Sequence, residues 1–305
     1  MHTRHDADAA SWRPQSRNPG PMKGAGASLR IEPIGAMTNF DESVVVAVAS
    51  IRRRIQCVPS IGLVLGSGLG DFAESLPRST TISTADIPSY PVGTVAGHRG
   101  RLIFSRTANG SVVVAFQGRI HFYESDNPAA VLFPIVVAHE LGVRTLIITN
   151  AAGGINREFR PGDLMVIRDQ INLTAEAPLL RKVNRPSQEM SLYDPGLVHL
   201  TLTTARELSL PIQCGIYAGV KGPSYETAAE VEMIHRLGGD AVGMSTVHEV
   251  RQAANLGMKI AGISCITNKA TGIGSRPLDH SEVTEVAAQV RERFRQLLSH
   301  ILGAL

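Results

Sequence analysis

The sequence has little cysteine, few aromatic residues and no long apolar run. Its three cysteines, Cys57, Cys214 and Cys265, are far apart and form no CxxC pair, which argues against a disulfide framework and against a zinc site. Apolar runs such as Ala129 to Ala138 are much shorter than the roughly 18 to 20 residues that cross a membrane. We therefore expect no bound metal, no membrane partner and a reducing, cytoplasmic location.

Charge is also sparse and is not concentrated in one segment. Charged residues make up 19% of the 305, and the formal net charge is +3 with the basic residues scattered. A nucleic-acid-binding face requires clustered basic residues, so no nucleic-acid partner is expected. Apolar residues reach 43%, which is enough for the interior of a globular protein.

Residues 1–37 differ in composition from the rest of the chain. They are rich in Ala, Gly, Pro, Ser, Arg and His and have no apolar period. Such a segment cannot bury enough surface to offset the entropy of ordering, so we predict a disordered extension followed by one domain over 38–305. Asn39 and Asp41 are cap candidates for a first helix that ends near Ile55.

Short apolar strands alternate with helices along the domain. The predicted strands are 61–65, 101–105, 112–116, 145–150, 163–168, 213–220, 240–244 and 259–267, and the predicted later helices are 127–141, 195–209, 226–237, 246–256 and 281–302. This pattern predicts a single α/β domain with a mixed, largely parallel central sheet flanked by helices. Functional side chains are then expected at the carboxyl ends of the strands.

A glycine-rich turn, GSGLGD at 66–71, directly follows the first predicted strand. Glycines let backbone amides approach an anion, and Ser67 adds a hydroxyl donor. The spacing is neither GxGxxG nor a nucleotide P-loop. Taken alone, the segment is equally consistent with a tight bend after a strand.

Four polar side chains lie close together in QGRIHFYE at 117–124. In an extended chain Arg119, His121 and Tyr123 point to one side, because side chains alternate. Arginine offers a planar fork to phosphate oxygens, histidine adds a donor, and Glu124 is placed to orient the imidazole. The alternative is an exposed strand that carries a salt bridge.

Three other strands end in small polar residues: TNAAGG at 149–154, VGMST at 242–246 and ITNK at 266–269. Small side chains there leave room for a ligand against the backbone. GPSYET at 222–227 precedes a predicted helix, so Thr227 or Ser224 is well explained as an N-cap. None of these segments is specific by itself.

Taken together and in this order, the segments resemble the purine nucleoside phosphorylases of the trimeric kind. The resemblance runs from about residue 61 to residue 283 and also includes GHRGRL at 97–102, PGDLM at 161–165 and DHSEV at 279–283. It implies phosphorolysis of purine nucleosides to free base and ribose 1-phosphate, a reaction of purine salvage. It also implies a homotrimer and no cofactor, with inorganic phosphate as co-substrate.

The resemblance implies two sets of site residues. Phosphate is expected at Ser67, His98, Arg119, His121, Ala151 and Ser245. The nucleoside is expected at Tyr123, Tyr225, Glu226, Val242, Met244, Thr267, Asn268 and His280. Asn268, Glu226 and His121 are expected to be catalytic: Asn268 bonds the N7 and O6 edge of the purine, Glu226 its N1 side, and His121 the phosphate.

Asn268 bears on the choice of base. Similar enzymes that act on 6-aminopurines, such as methylthioadenosine phosphorylases, carry Asp there, whereas a 6-oxopurine calls for a donor that a carboxylate does not supply. Inosine and guanosine are therefore the predicted substrates. The alternatives are a methylthioadenosine or xanthosine phosphorylase, a hydrolytic nucleosidase and a non-catalytic nucleoside-binding protein.

Two segments depart from the family pattern. Between residues 172 and 194 the family has a longer loop whose phenylalanine closes the ribose site of the neighbouring subunit. This loop has no phenylalanine, which leaves Leu179, Leu180 or Tyr193 as substitutes. His248 stands where proline is common, off the expected contacts.

Overall fold

The computed structural model describes the backbone of residues 34–95, 97–178, 191–274 and 280–305. The side chains of 34–38, 78–79 and 280–284 lie outside the described part. Of the predicted extension over 1–37, only 34–37 are described, and they form the beginning of the first helix.

The strands and helices alternate along most of the chain. The strands are β1 (Ile61–Leu65), β2 (Arg78–Ser83), β3 (Arg101–Arg106), β4 (Val112–Gln117), β5 (Thr145–Gly154), β6 (Leu164–Asn172), β7 (Ile212–Gly219), β8 (Ala241–Gly243) and β9 (Lys259–Lys269). The helices are α1 (Ile34–Arg52), α2 (Phe72–Ser75), α3 (Phe122–Ser125), α4 (Pro128–Leu141), α5 (Pro195–Glu207), α6 (Ala228–Arg236), α7 (Val247–Asn255) and α8 (His280–Ala304).

The described strands form one sheet in the order β2-β3-β4-β1-β5-β8-β7-β6-β9. Because β9 pairs with β5 as well as with β6, the five strands from β5 to β9 close a ring. Five of the nine strand pairings, β1–β4, β1–β5, β5–β9, β6–β7 and β7–β8, are parallel, which confirms the predicted mixed, largely parallel sheet. The carboxyl ends of β4, β1, β5 and β9 therefore lie side by side.

Apolar side chains cover both faces of the sheet. All five residues of β1 are buried, and they alternate: Leu63 and Leu65 join one hydrophobic cluster and Val64 the other. Helices α1, α4 and α7 pack on the face of Val64, and α5 and α8 pack on the opposite face. This packing fixes the strand ends that carry the polar segments.

Capping residues mark the beginnings of three of the helices. Asn127 and Asp194 each accept a backbone N–H of the first turn, and a proline follows each cap. Thr227 caps α6 as predicted and shares a capping box with Glu230. Within the described part of the chain, no helix combines the length and apolar character that a membrane span requires.

Some boundaries differ from the sequence predictions, because partner strands and neighbouring turns outweigh local pattern. Helix α1 begins at Ile34, so Asn39 lies inside the helix instead of capping it. The polar strand β2 was not predicted, and it is ordered by antiparallel pairing with β3. Strand β5 continues through the segment TNAAGG to Gly154, since β8 and β9 both pair with that segment.

Candidate active site

One pocket lies at the carboxyl ends of β1, β4, β5 and β9, beside the end of β8. Its lining includes every predicted site residue except two: Ser67, Arg119, His121, Tyr123, Ala151, Tyr225, Glu226, Val242, Met244, Ser245, Thr267 and Asn268. Of the two exceptions, His98 lies behind the pocket wall, and the side chain of His280 lies outside the described residues.

The turn after β1 is locked against β5. The amide of Gly66 donates to Thr149 Oγ1 at 3.2 Å, and the same hydroxyl donates to the Val64 carbonyl at 3.0 Å. A Cβ on Gly66 would lie 2.8 Å from the Cα of Asn150, so only glycine allows this approach. The contact places Ser67 at the pocket edge.

The segment after β4 does not continue as an extended strand. Gly118 has φ +118°, and a Cβ there would lie 2.7 Å from the Cβ of His98. The chain turns at this glycine and then forms the short helix α3, so the prediction of an extended segment with alternating side chains was wrong. His121 and Tyr123 nevertheless lie together, with ring centroids 5.0 Å apart and nearly parallel planes.

Arg119 is 6% exposed and joins three strand ends. Its Nη1 donates to Ser245 Oγ at 2.7 Å and to Thr246 Oγ1 at 3.0 Å, and its Nη2 donates to the Thr149 carbonyl at 2.5 Å. Its Nε has no partner among the described residues. The guanidinium lies at the wall of the pocket, and these acceptors do not use all five of its N–H donors.

The turn from β8 into α7 contains two polar residues, Thr246 and Glu249, that are not among the predicted site residues. Thr246 has φ +76°, and its amide donates to Glu249 Oε2 at 3.0 Å. Its hydroxyl accepts from Asn150 Nδ2 at 2.9 Å. A threonine followed three residues later by a glutamate is a capping-box pattern, which is the signal that identifies this pair from sequence.

His98 supports the pocket from behind. Its Nε2 lies 3.2 Å from Ser67 Oγ, its Nδ1 lies 2.9 Å from the Arg119 carbonyl oxygen, and its ring stacks on His121 at 5.1 Å. Burial, together with electrostatic repulsion from His121 and Arg119, lowers the pKa of His98 to about 4. A neutral imidazole therefore connects Ser67 to Arg119 at neutral pH.

Glu124 holds His121 in place, as predicted. Its Oε1 accepts from the His121 amide at 2.6 Å and lies 3.0 Å from His121 Nδ1, and its Oε2 accepts from the Thr94 amide and hydroxyl. Burial alone would raise the pKa of Glu124, but the hydrogen bonds from His121 and Thr94 outweigh it and lower the pKa to about 2. The imidazole is thus oriented by an ionised carboxylate.

The opposite end of the pocket carries the groups expected to face a base. Thr267 Oγ1 donates to Asn268 Oδ1 at 2.9 Å, and Asn268 Nδ2 donates to the Lys269 carbonyl at 3.0 Å. The amide oxygen therefore already accepts one hydrogen bond, while the second hydrogen on Nδ2 has no partner in the described part of the chain. Burial raises the pKa of Glu226, and Tyr225 beside it is 43% exposed.

The two departures from the family pattern have different outcomes. Tyr193 is 1% exposed and donates to Gln170 Oε1 at 2.9 Å, so it belongs to the core and was wrongly considered as a residue that covers the ribose. The other two candidates, Leu179 and Leu180, lie outside the described residues. His248 does not line the pocket; its Nε2 lies 2.9 Å from Thr174 Oγ1.

No group of three or more His, Cys, Asp and Glu side chains within the described ranges has the arrangement of a metal site. The pocket instead presents hydroxyl, guanidinium, imidazole and amide groups at one end. These are donors that suit an oxyanion such as phosphate.

Comparison with known proteins shows which family and which relatives the sequence resembles. The sequence matches the model of the phosphorylase superfamily over residues 60–303. Purine nucleoside phosphorylase 1 of Bacillus subtilis is 47% identical over 262 residues, which cover 84% of this chain and 96% of the relative. Purine nucleoside phosphorylase of Bos taurus is 37% identical over 263 residues, which cover 81% and 89%.

Solved structures agree with the sequence relatives. The crystal structure of Schistosoma mansoni purine nucleoside phosphorylase in complex with adenosine superposes with a TM-score of 0.80 at 34% identity, covering 87% of this chain and 97% of that one. The crystal structure of Schistosoma mansoni purine nucleoside phosphorylase in complex with inosine gives a TM-score of 0.79 at 32% identity, covering 87% of this chain and 96% of that one.

The hydrogen bonds of Glu124 predict a pH-dependent stability. Because its pKa falls from 4.5 to about 2 on folding, its contribution is fully present above pH 4.5 and is lost as the pH falls through 2. We expect Glu124→Gln to lower the free energy of unfolding by about 1.5–3 kcal/mol at neutral pH, the range for hydrogen bonds to a charged group. The difference from wild type should shrink between pH 4.5 and pH 2.

Chemical denaturation from pH 7 to pH 2 measures this difference. Glu158→Gln, at an exposed position, is the control and should follow the wild type at every pH. A difference between Glu124→Gln and wild type that stays constant down to pH 2 would show that the carboxylate is not held in its ionised form.

Proposed function

This chain belongs to the phosphorylase superfamily and, within it, to the purine nucleoside phosphorylases; on that premise we propose that its substrates are the 6-oxopurine nucleosides inosine and guanosine. The reaction is phosphorolysis, in which phosphate replaces the purine on ribose. The observation that carries the choice of base is Asn268, whose oxygen already accepts from Thr267 while an amide hydrogen is left for the pocket.

We assign phosphate to the end of the pocket where Arg119 lies. Ser67, Arg119, His121 and Ser245 supply side-chain donors there, and Ala151 supplies backbone. A phosphate dianion is well matched by a guanidinium, an imidazole and hydroxyls, since charge-assisted hydrogen bonds are the strong ones. His98 takes a supporting role, because it contacts Ser67 and Arg119 from behind.

We place the nucleoside at the other end of the pocket. Tyr225 would stack on the purine and Glu226 would accept from its N1 side, while Tyr123 and Met244 would contact the ribose. The remaining assignments are Val242 and Thr267 beside the base and His280 at the 5′-hydroxyl. This placement is supported by the pocket, because all of these residues whose side chains the structure describes line it.

The chemistry follows from charge. The bond between C1′ and N9 breaks with its electron pair going to the purine, and a bond from a phosphate oxygen to C1′ forms on the opposite face. The purine gains one proton, and the phosphate loses one as its ester forms. The ribosyl group becomes cationic in the transition state, and the phosphate on one face stabilises it. Asn268 donates to N7 as negative charge collects there, and no protein nucleophile is required.

The residue at position 268 tests the proposed base preference. We expect Asn268→Asp to reduce kcat/KM for inosine by about 10²–10³-fold, the loss seen when a transition-state donor is removed. The carboxylate accepts a hydrogen from a 6-amino group, so the ratio of adenosine to inosine activity should rise. Asn268→Ala, which lacks both functions, is the control and should lose inosine activity with no gain on adenosine.

The measurement is release of free base from inosine, guanosine, xanthosine, adenosine and methylthioadenosine, each with and without phosphate. Phosphate-dependent cleavage of inosine and guanosine supports the proposal. Preference for methylthioadenosine or xanthosine identifies the alternative phosphorylases, release without phosphate identifies a nucleosidase, and binding without turnover identifies a nucleoside-binding protein. The solved Schistosoma mansoni structures contain adenosine in one case and inosine in another, so the fold alone does not decide between these bases.

We further propose that the protein is a homotrimer in the cytoplasm. The resemblance to trimeric family members supports the assembly, and three free thiols at Cys57, Cys214 and Cys265 are consistent with a reducing compartment. Light scattering on the purified protein should give three times the mass of one chain, and cell fractionation should recover the protein with soluble cytoplasmic enzymes. A monomer, or recovery from an oxidising compartment, contradicts the respective proposal.

A further inference from the structure

Glu249 is a buried acid to which the proposed reaction assigns no role. It lies on the first turn of α7, is 4% exposed, and is not among the residues that line the pocket. Its Oε2 accepts from the Thr246 amide at 3.0 Å and lies 3.7 Å from Arg119 Nη1. Glu249 therefore contacts Arg119, which lines the proposed phosphate site, without lining the pocket itself.

Arg119 needs a negative charge when phosphate is absent. Its side chain is 2% exposed, and a cation that deep is costly unless it is paired. Its hydrogen-bond acceptors, Ser245, Thr246 and the Thr149 carbonyl, are all neutral. Among the ion pairs of the described residues, Glu249 is the one anionic partner of Arg119.

We propose that Glu249 is the internal counter-ion of Arg119: a positioning residue that holds the guanidinium in place when phosphate is absent and lowers the affinity of the pocket for phosphate. The inference rests on the proposed role of Arg119 in binding phosphate. The carboxylate stays where it is when phosphate binds, because the Thr246 amide holds it. Phosphate then shares the guanidinium with a second anion, and repulsion between the two weakens its binding.

The capping role of Glu249 can be separated from its charge. On α6, Glu230 occupies the same capping-box position and accepts from the amide and hydroxyl of Thr227 at 2.7 and 2.9 Å. Glu230 is exposed and has no ion pair among the described residues, so a capping box does not require an arginine. Glu230→Gln therefore measures the effect of changing a capping glutamate that has no arginine partner. Glu249→Gln keeps an acceptor oxygen for the Thr246 amide but removes the negative charge beside Arg119.

The experiment is calorimetric titration of the free enzyme with inorganic phosphate. We expect Glu249→Gln to lower the Kd for phosphate by about 3- to 10-fold, a modest effect for one charge at this separation behind a protein surface. The KM for phosphate should fall in parallel, while the KM for inosine should change less than about 2-fold. Phosphate should also raise the Tm of Glu249→Gln more than that of wild type, because in the variant only phosphate neutralises Arg119.

Glu230→Gln is the matched control and should leave the Kd for phosphate unchanged. Unchanged or weaker phosphate binding by a folded Glu249→Gln overturns the inference, and equal losses for phosphate and inosine would assign Glu249 to the cap alone.

If Glu249→Gln does not fold, Glu249→Asp withdraws the carboxylate by one methylene and should give a smaller fall in the phosphate Kd. No fall in the phosphate Kd again overturns the inference.

The two proposals fail differently. Wild-type protein that binds no phosphate contradicts the proposed phosphate site and, with it, the role of Glu249. Normal phosphate binding by wild type, together with an unchanged Kd in Glu249→Gln, contradicts the role of Glu249 and leaves the proposed site intact.

Discussion

The burial of the Arg119 guanidinium is the constraint on which the rest of the site depends. A cation that is almost removed from water is tolerated only where acceptors surround it, and here they come from the ends of β5 and β8 and from α7. Meeting that requirement fixes the positions of Thr149 and Ser245. It also brings together strand ends that are far apart in the sequence.

Backbone features of the site serve the same arrangement. Gly118 turns the chain so that Arg119 leaves β4 beside His98, and Gly66 allows β1 to approach β5. Thr246 adopts a positive φ that is unusual for a branched residue, and its hydroxyl receives both Arg119 and Asn150. The strain is offset locally by hydrogen bonds to the same residue.

The electrostatics of the pocket are balanced rather than strongly positive. Glu124 and Glu249 lie beside His121 and Arg119, and His98 has a pKa of about 4 and is neutral at neutral pH. The pocket therefore offers many hydrogen-bond donors with little excess charge.

Much of the fold and site follows from the sequence, because the informative residues cluster where strands end. The segments around Ser67, Arg119 and Asn268 were each placed at the end of a strand, and the structure brings them into one pocket. What the sequence could not supply depends on contacts between distant segments. The chain turns at Gly118 and then enters the short helix α3 instead of staying extended, and Tyr193 is buried by packing against Gly262.

The measurement that tests the central claim most directly is the steady-state kinetics of Arg119→Lys, with the KM for phosphate and the KM for inosine determined separately. Lysine keeps the positive charge, but its single ammonium group cannot donate to all the acceptors that the two Nη atoms of Arg119 reach. We expect the KM for phosphate to rise by about 10- to 100-fold, as the loss of charge-assisted hydrogen bonds implies, with little change in the KM for inosine. An unchanged KM for phosphate would contradict the account, because phosphate would then be held elsewhere.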